Sequence, residues 1–157
     1  MIVVCVGPTQ RRFAFRQSKV CGRLEWFEAA CSERWVGNKL EKTRLELHLP
    51  SVKAEVFRVY REWIYSGNIC FSRCTKASEI KDKVAEHTLL IDLYLLGFAV
   101  ADLQLRNVAI REMSKSLGIC YRMPDQHQIA VVWAATGDGD CLRRLLLNFV
   151  ITKGDQE

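Results

Sequence analysis

One segment limits how this chain can fold more than any other: TLLIDLYLLGFAVADL, residues 88–103. It is almost continuously apolar, so folding must remove it from water. A membrane-spanning helix needs about 20 consecutive apolar residues, whereas this segment is shorter and contains Asp92 and Asp102. We therefore expect a buried core helix in a globular protein, without contact to a membrane.

The composition agrees with one globular domain that carries a small appendage. The chain has 157 residues, of which 49% are hydrophobic and 26% are charged, which is enough to bury a core without disulfide or metal staples. The formal net charge is +5, but basic and acidic residues are interspersed instead of forming runs of one sign. The charge therefore does not indicate binding to nucleic acid.

Seven cysteines are scattered from Cys5 to Cys141. An odd number of cysteines without a secretory leader argues against a disulfide framework and favours a reducing compartment. We therefore expect mostly buried thiols, in a protein of the cytoplasm or the nucleus.

The first part of the chain predicts a small sheet. The segments IVVCV and RRFAFR flank a GPTQ turn, so residues 2–16 are expected to form a β-hairpin. Because only Met1 precedes the first strand, we expect that strand at a sheet edge, with its preceding residues missing. In RLELHLP, residues 44–50, leucines alternate with polar residues, which is typical of a half-buried strand that ends at Pro50.

Helices are predicted before and after that strand. The segment KVCGRLEWFEAAC, residues 19–31, has apolar residues at helical spacing and is divided into two short helices at Gly22. Ser51 is placed to cap a longer helix, which Gly67 ends. Residues 70–87 are polar and charged, so we expect a long surface loop there, with or without a helical turn. The inward stripe of the longer helix consists of Val56, Phe57, Tyr60, Trp63 and Ile64.

The remainder of the chain predicts helices only. In TGDGD, residues 136–140, the ligands are too few for a calcium loop, and Asp140 is placed to cap the helix that starts at Cys141. The order of hairpin, helices, strand and then helices predicts an α+β domain with a small sheet at one end. One helical face, closed by Gly118, consists of Leu105, Val108, Ala109, Met113 and Leu117. Two later amphipathic segments carry apolar residues at Ile129 to Trp133 and at Leu142, Leu145, Leu146 and Phe149.

Four segments, in the same order as in the family, resemble BTB/POZ domains and in particular their fungal branch. FAFRQSKVCGRLEWFEAAC resembles the Phe–apolar–His-Lys segment and the aromatic Ala-Ala-Cys helix, and LHLPSVKAEVFRVYREWIYSGNI resembles the Leu-Pro segment with its Trp-Leu-Tyr-Thr-Gly ending. LIDLYLLGFAVADLQLRNVAI and TGDGDCLRRLLLNF resemble the next block and the Leu-Arg-Arg-Leu ending. The matching positions include Phe13, Phe15, Val20, Phe27, Ala29, Ala30, Cys31, Leu49, Pro50, Phe57, Trp63, Ile64, Tyr65, Gly67, Leu93, Tyr94, Leu96, Gly97, Leu105 and Asn107.

The resemblance implies a BTB/POZ-like fold, in which a small β-sheet at one end packs on a cluster of α-helices. It places a BTB/POZ-like domain at residues 1–112 and a C-terminal helical extension, packed on that domain, at residues 113–157. It also implies a function in protein–protein interaction. The partner is then this chain itself or another BTB protein, and in some members a cullin.

Two surfaces follow from the same resemblance. Homotypic association through the first two helices, Lys19 to Cys31, implies a dimer surface at Val20, Leu24, Trp26 and Phe27. In some members the segment from Phe57 to Ile69 serves as an adaptor surface for a cullin-based ubiquitin ligase, which implies a partner surface at Tyr65, Asn68 and Phe71. Trp26 and Phe27 are adjacent on the second of these helices. Either both lie in the core, or one of them is exposed as an interface anchor.

No motif in the sequence indicates catalysis. His48, His87 and His127 have no Ser, Cys or carboxylate at the spacing of a known hydrolase motif, and His48 belongs to the polar face of its strand. Cys70 and Cys74 supply only two of the four ligands that a structural zinc site needs. We expect no catalytic residue, no metal and no cofactor.

Two alternatives to an interaction module stay open. A cysteine-based redox or enzymatic protein would use Cys21 or Cys70, each close to an arginine in sequence, as a thiolate of lowered pKa. A basic nucleic-acid-associated protein would use exposed arginines. The pairs Arg11–Arg12 and Arg143–Arg144 have no interleaved aromatics, however, and are typical of a solvated face.

Overall fold

The structure is a computed structural model that describes residues 1–22, 24–32, 45–69, 80–120 and 123–154. Three strands and seven helices lie in these ranges, which confirms the predicted α+β class. In chain order they are β1 (Ile2–Val6), β2 (Arg11–Phe15), α1 (Gln17–Val20), α2 (Glu25–Cys31), β3 (Leu45–Leu49), α3 (Ala54–Ser66), α4 (Ile80–Ala99), α5 (Leu103–Cys120), α6 (Gln126–Ala135) and α7 (Cys141–Gly154).

The chain divides into two compact units. The first comprises Met1–Cys70 with Phe98–Asp102, and the second comprises Phe71–Gly97 with Leu103–Glu157. The boundary expected between residues 112 and 113 falls inside α5, where one continuous helix joins the two sides. Among the described residues, no helix combines the length and the apolar character needed to cross a bilayer.

β1 lies in the centre of the sheet of the first unit. It pairs antiparallel with β2 and parallel with β3, so that Val4 is aligned with Phe13 on one side and Leu47 on the other. All five residues of β1 are buried, because an unbroken apolar run has no polar face to offer to solvent. The predicted hairpin is confirmed, whereas the expectation that its first strand is a sheet edge is wrong.

Two short helices follow the hairpin, as the sequence predicts. α1 and α2 are separated at Gly22, whose φ of 85° lies in the left-handed region that glycine adopts without steric cost. Val20, at the end of α1, and Phe27, in α2, are both fully buried. The Phe27 ring centroid lies 5.5 Å from that of Phe15, so α2 packs on the second strand of the hairpin.

α3 packs against the sheet through Phe57. The centroid of this ring lies 5.0 Å from that of Phe13 and 5.9 Å from that of Phe15. Burying a side chain of this size contributes about 1.5–3 kcal/mol to folding. The predicted inward stripe is confirmed, because each of its members is buried: Val56, Phe57, Tyr60, Trp63 and Ile64.

The two ends of α3 differ in how well the sequence predicted them. At the start, the N-cap is Lys53 and makes no side-chain cap hydrogen bond. Ser51 instead lies exposed in a turn in which the Val52 N–H donates to the Leu49 carbonyl at 3.3 Å, so it is not the cap. At the end, Gly67 is left-handed with a φ of 73°, and its N–H donates to the Trp63 carbonyl at 2.7 Å, as predicted.

α4 begins earlier than the sequence predicts. Residues 80–87 are helical, so this part of the expected surface loop is wrong, while residues 70–79 lie outside the described residues. The buried core helix expected over residues 88–103 is confirmed as far as Ala99, where α4 ends, whereas Leu103 is exposed and begins α5. Within α4, Leu90, Ile91 and Tyr94 are buried. These side chains belong to a core that α5, α6 and α7 complete with Ala109, Met113, Leu117, Val132, Leu142 and Leu146.

Gly67 and Gly118 provide a test of backbone geometry. Gly118 was expected to close its helix but lies inside α5, which continues to Cys120. Gly67→Ala should lower the free energy of unfolding by about 1–2 kcal/mol, because alanine is strained at positive φ. Gly118→Ala should raise it by up to about 1 kcal/mol, because alanine is the better helix former and nothing lies within 4 Å of the added Cβ.

Urea unfolding of the two variants and the wild type measures both changes. Equal effects of the two substitutions would contradict the assignment of Gly67 as a left-handed helix end.

Candidate interaction surface

The outer side of α3 carries a depression that opens to solvent. Its described lining residues are Arg58, Arg61, Glu62 and Tyr65, and its volume is about 330 Å³. All four lie on one helix, opposite the buried stripe. Arginine and tyrosine side chains of this kind are common contact residues of protein interfaces.

Tyr65 is held in place although 46% of it is exposed. Its ring stacks on that of Phe15, with centroids 6.3 Å apart and planes inclined by 10°. Its hydroxyl accepts a hydrogen bond from the Arg16 backbone N–H at 3.4 Å, and the guanidinium carbon of Arg61 lies 6.0 Å from the ring centroid. The ring is therefore fixed before a partner arrives.

The charges along α3 are arranged unevenly. Arg58 has Glu55 three residues before it and Glu62 four residues after it, so its positive charge has acidic residues at helical spacing. The corresponding positions around Arg61 are Phe57, Arg58, Ile64 and Tyr65, none of which is acidic. Arg61 is also exposed, so it presents positive charge beside the Tyr65 ring.

Two of the three residues of the partner surface implied by the resemblance lie among the described residues. Tyr65 and Asn68 are both exposed at the end of α3, and Phe71 lies outside the described residues. Asn68 is held by Ser66, whose hydroxyl accepts from the Asn68 N–H at 3.1 Å. Tyr65 and Asn68 are thus accessible to a partner, while the function assigned to them stays a prediction.

The implied dimer surface is mostly in the interior. Val20, Leu24 and Phe27 are 0%, 6% and 0% exposed, so these three residues are core residues in this structure and not surface residues. Trp26 is half-buried and packs edge-on against Phe27, with ring centroids 4.8 Å apart. Of the four, Trp26 is the one with appreciable access to solvent, and dimerisation stays a prediction.

The sequence analysis missed Arg58 and Arg61. The signal was available, since Arg58, Arg61 and Tyr65 lie at positions i, i+3 and i+7, which share one face of a helix.

Asp140 joins three elements of the second unit. It accepts a hydrogen bond from the Leu142 N–H at 2.9 Å, which confirms its predicted role as the cap of α7. Its carboxylate also accepts from the Tyr94 hydroxyl at 2.9 Å, and that hydroxyl accepts from Arg106 at 2.9 Å. Burial raises the pKa of Tyr94, although the Arg106 guanidinium opposes the rise.

Arg143 is not on a solvated face, contrary to expectation. Its side chain is 13% exposed and donates to the carbonyls of Trp133 and Thr136 at the end of α6. It also forms an ion pair with Asp138 at 2.8 Å. A guanidinium satisfies the carbonyls that a helix end leaves unpaired, which explains the burial. Its neighbour Arg144 is exposed, as expected.

The three histidines are in different surroundings. His48 is exposed, as predicted, and its Nδ1 lies 3.1 Å from the side-chain oxygen of Gln10. His127 is also exposed, whereas His87 is buried with its Nε2 3.0 Å from the Ser116 hydroxyl. His87 lies on α4 and not in a loop, and its side chain is on the buried side of that helix.

The described cysteines differ from the expected set of buried thiols. Cys5 is a buried free thiol, Cys141 is an exposed free thiol, and Cys21 is disulfide-bonded. Cys21 therefore offers no thiolate in this state, and Cys70 lies outside the described residues. Within the described ranges, no three residues of the types His, Cys, Asp or Glu are grouped so as to hold a metal ion.

Comparison with known proteins does not identify a relative of this chain. No family model matches the sequence, and no curated protein matches it either. The BTB/POZ resemblance therefore depends on the motifs themselves.

Tyr94→Phe tests the network around Asp140. Removing the hydroxyl should lower the free energy of unfolding by about 1–3 kcal/mol, because a hydrogen bond to a carboxylate is lost. The raised pKa of Tyr94 favours its protonated form in the folded state. That stabilisation is complete below the ordinary pKa of tyrosine and is lost as the pH rises through the folded-state pKa.

Chemical denaturation of Tyr94→Phe at neutral and alkaline pH measures both effects. Tyr65→Phe is the control, because its exposed hydroxyl makes only a long hydrogen bond. An alkaline loss of stability as large in Tyr94→Phe as in the wild type would contradict the assignment.

Cys5 should react slowly with alkylating reagents. Its thiol donates to Glu46 at 2.9 Å, and this hydrogen bond, together with burial, raises the pKa of Cys5. The reactive thiolate is therefore scarce at neutral pH. Mass spectrometry after native-state alkylation should find Cys141 modified well before Cys5. The opposite order would contradict the buried, hydrogen-bonded state of the Cys5 thiol.

Proposed function

We propose that this chain is a protein–protein interaction module of the BTB/POZ type that mediates homo- or hetero-association. The order of the four matching segments and the α+β architecture with a small sheet support this proposal. The observation that carries it is the solvent-open depression on α3, which is lined by two arginines and a tyrosine. Its partners are a second copy, another BTB protein or, in an adaptor role, a cullin.

The residue types in the depression are those that anchor protein interfaces. Tyrosine and arginine are enriched among residues whose truncation weakens binding most, because each combines a large contact area with directional polar groups. Tyr65 also has few conformations left to lose, since it is stacked on Phe15 and contacted by Arg61. A fixed ring at the surface favours binding of another protein over enclosure of a small ligand.

The first two helices, α1 and α2, offer little exposed surface for a dimer. Only Trp26 among the four implied dimer residues has appreciable exposure. A symmetric dimer through α1 and α2 would therefore use Trp26 with polar neighbours, unless another surface contributes. We propose α3 as the principal surface for this reason.

The test combines oligomeric state with site-specific loss of binding. Light scattering at high micromolar concentration should detect self-association of the wild type, or cross-linking in cell extract should attach a defined protein to α3. Tyr65→Ala should reduce the association that is found, because it removes the fixed ring. Phe98→Ala, which removes an exposed aromatic outside α3, should leave it unchanged.

Two results would contradict the proposal. One is a strict monomer that acquires no cross-linked protein on α3. The other is a partner whose binding is unaffected by Tyr65→Ala.

A further inference from the structure

We propose that the depression on α3 binds an acidic helical segment of a partner protein, with a carboxylate on Arg61 and an apolar side chain against Tyr65. This inference rests on the proposed function and adds the chemistry of the partner. It follows from the charge pattern of one helix face, from the shape of the depression, and from how Tyr65 is held.

Arg61 supplies the positive charge of the site. It is exposed, and no acidic residue lies three or four positions away from it on α3. Its contact in the described part of the chain is with the Tyr65 ring, 6.0 Å from the centroid. A guanidinium that lies over a ring still has N–H groups at its edge, and these match the two oxygens of a carboxylate.

Tyr65 is the apolar half of the site. The Phe15 ring supports it, and 46% of it is exposed to solvent. Arg61 and Tyr65 are four residues apart, one helical turn. A partner helix that lies along α3 therefore meets both when its carboxylate and its apolar residue are also one turn apart.

Glu62 lines the same depression. Its negative charge repels a carboxylate that is displaced toward it, and this restricts the partner to the register in which the carboxylate lies on Arg61. Glu62 also opposes a polyphosphate backbone, which needs several cations in a row. The mixed charge of the site thus favours an acidic protein segment over nucleic acid.

The probe is a fluorescein-labelled helical peptide in which a pair of Glu residues one turn apart is followed one turn later by Leu. The matched peptides replace both Glu residues by Gln or by Lys. Fluorescence anisotropy measures affinity at low and at physiological salt, and amide chemical shifts locate the bound peptide on the full chain.

The Glu peptide should shift amides of α3, and its affinity should fall as the salt concentration rises. The Gln peptide should bind about threefold to fivefold more weakly, because exposed ion pairs contribute modestly to affinity. Arg61→Glu replaces attraction by repulsion and should weaken the Glu peptide by about tenfold. The Lys peptide should bind Arg61→Glu better than it binds the wild type. Arg111→Glu is the matched control, an exposed arginine on α5 whose reversal should change nothing.

Several outcomes would overturn the inference. These are equal affinity for the Glu and Gln peptides, full binding of the Glu peptide to Arg61→Glu, and no shift of α3 amides. Displacement of the peptide by a single-stranded oligonucleotide that shifts the same amides more strongly would assign the site to nucleic acid instead.

Two controls keep these outcomes interpretable. Arg61→Gln removes the charge without reversing it and should show an intermediate loss, while thermal unfolding confirms that each variant folds. The proposed function has its own readout, the loss of association in Tyr65→Ala. Association that depends on Tyr65 but not on the charge at Arg61 would therefore leave the proposed function standing and remove the acidic partner.

Discussion

The buried stripe of α3, to which the Phe57 ring belongs, decides which side of this helix faces the solvent. This ring is fully buried and contacts three others, those of Phe13, Phe15 and Tyr60. Because the whole stripe that includes Phe57, Tyr60 and Trp63 is buried, the helical repeat of 3.6 residues leaves Arg58, Arg61 and Tyr65 on the other side of α3. The Tyr65 ring still reaches Phe15 of the sheet and stacks on it. The candidate surface is thus a consequence of core packing, and it depends on the aromatic cluster that holds the helix.

The sequence predicted α3 well because its pattern is local. Five apolar residues at helical spacing define the buried face without reference to the rest of the chain, and Gly67 marks the end through its own backbone freedom. The position of β1 was not predictable in this way. An apolar strand has the same local pattern at the edge and in the centre of a sheet, and its place depends on pairing with Leu45–Leu49, about forty residues further along the chain.

Polar residues of the second unit were harder to predict for a related reason. Arg143 was assigned to solvent because charged residues usually lie there, yet its guanidinium finds carbonyl partners at the end of another helix. His87 was assigned to a loop, and its partner Ser116 lies on α5. In both cases the partner is remote in sequence or belongs to a helix end, which neither composition nor periodicity reveals. Asp140 was predicted because its main partner, the start of α7, is adjacent.

Only part of the candidate site on α3 was predicted from the sequence. The resemblance named Tyr65 and Asn68. The charge of Arg61 became significant only because no acidic residue lies three or four positions from it on α3. An exposed ion pair is screened by salt and contributes little affinity by itself. Tyr65 contributes contact area, and it loses little side-chain entropy on binding because its ring is already stacked on Phe15. On this surface, affinity therefore depends mainly on the fixed ring, and the charges of Arg61 and Glu62 determine which partner binds and in which register.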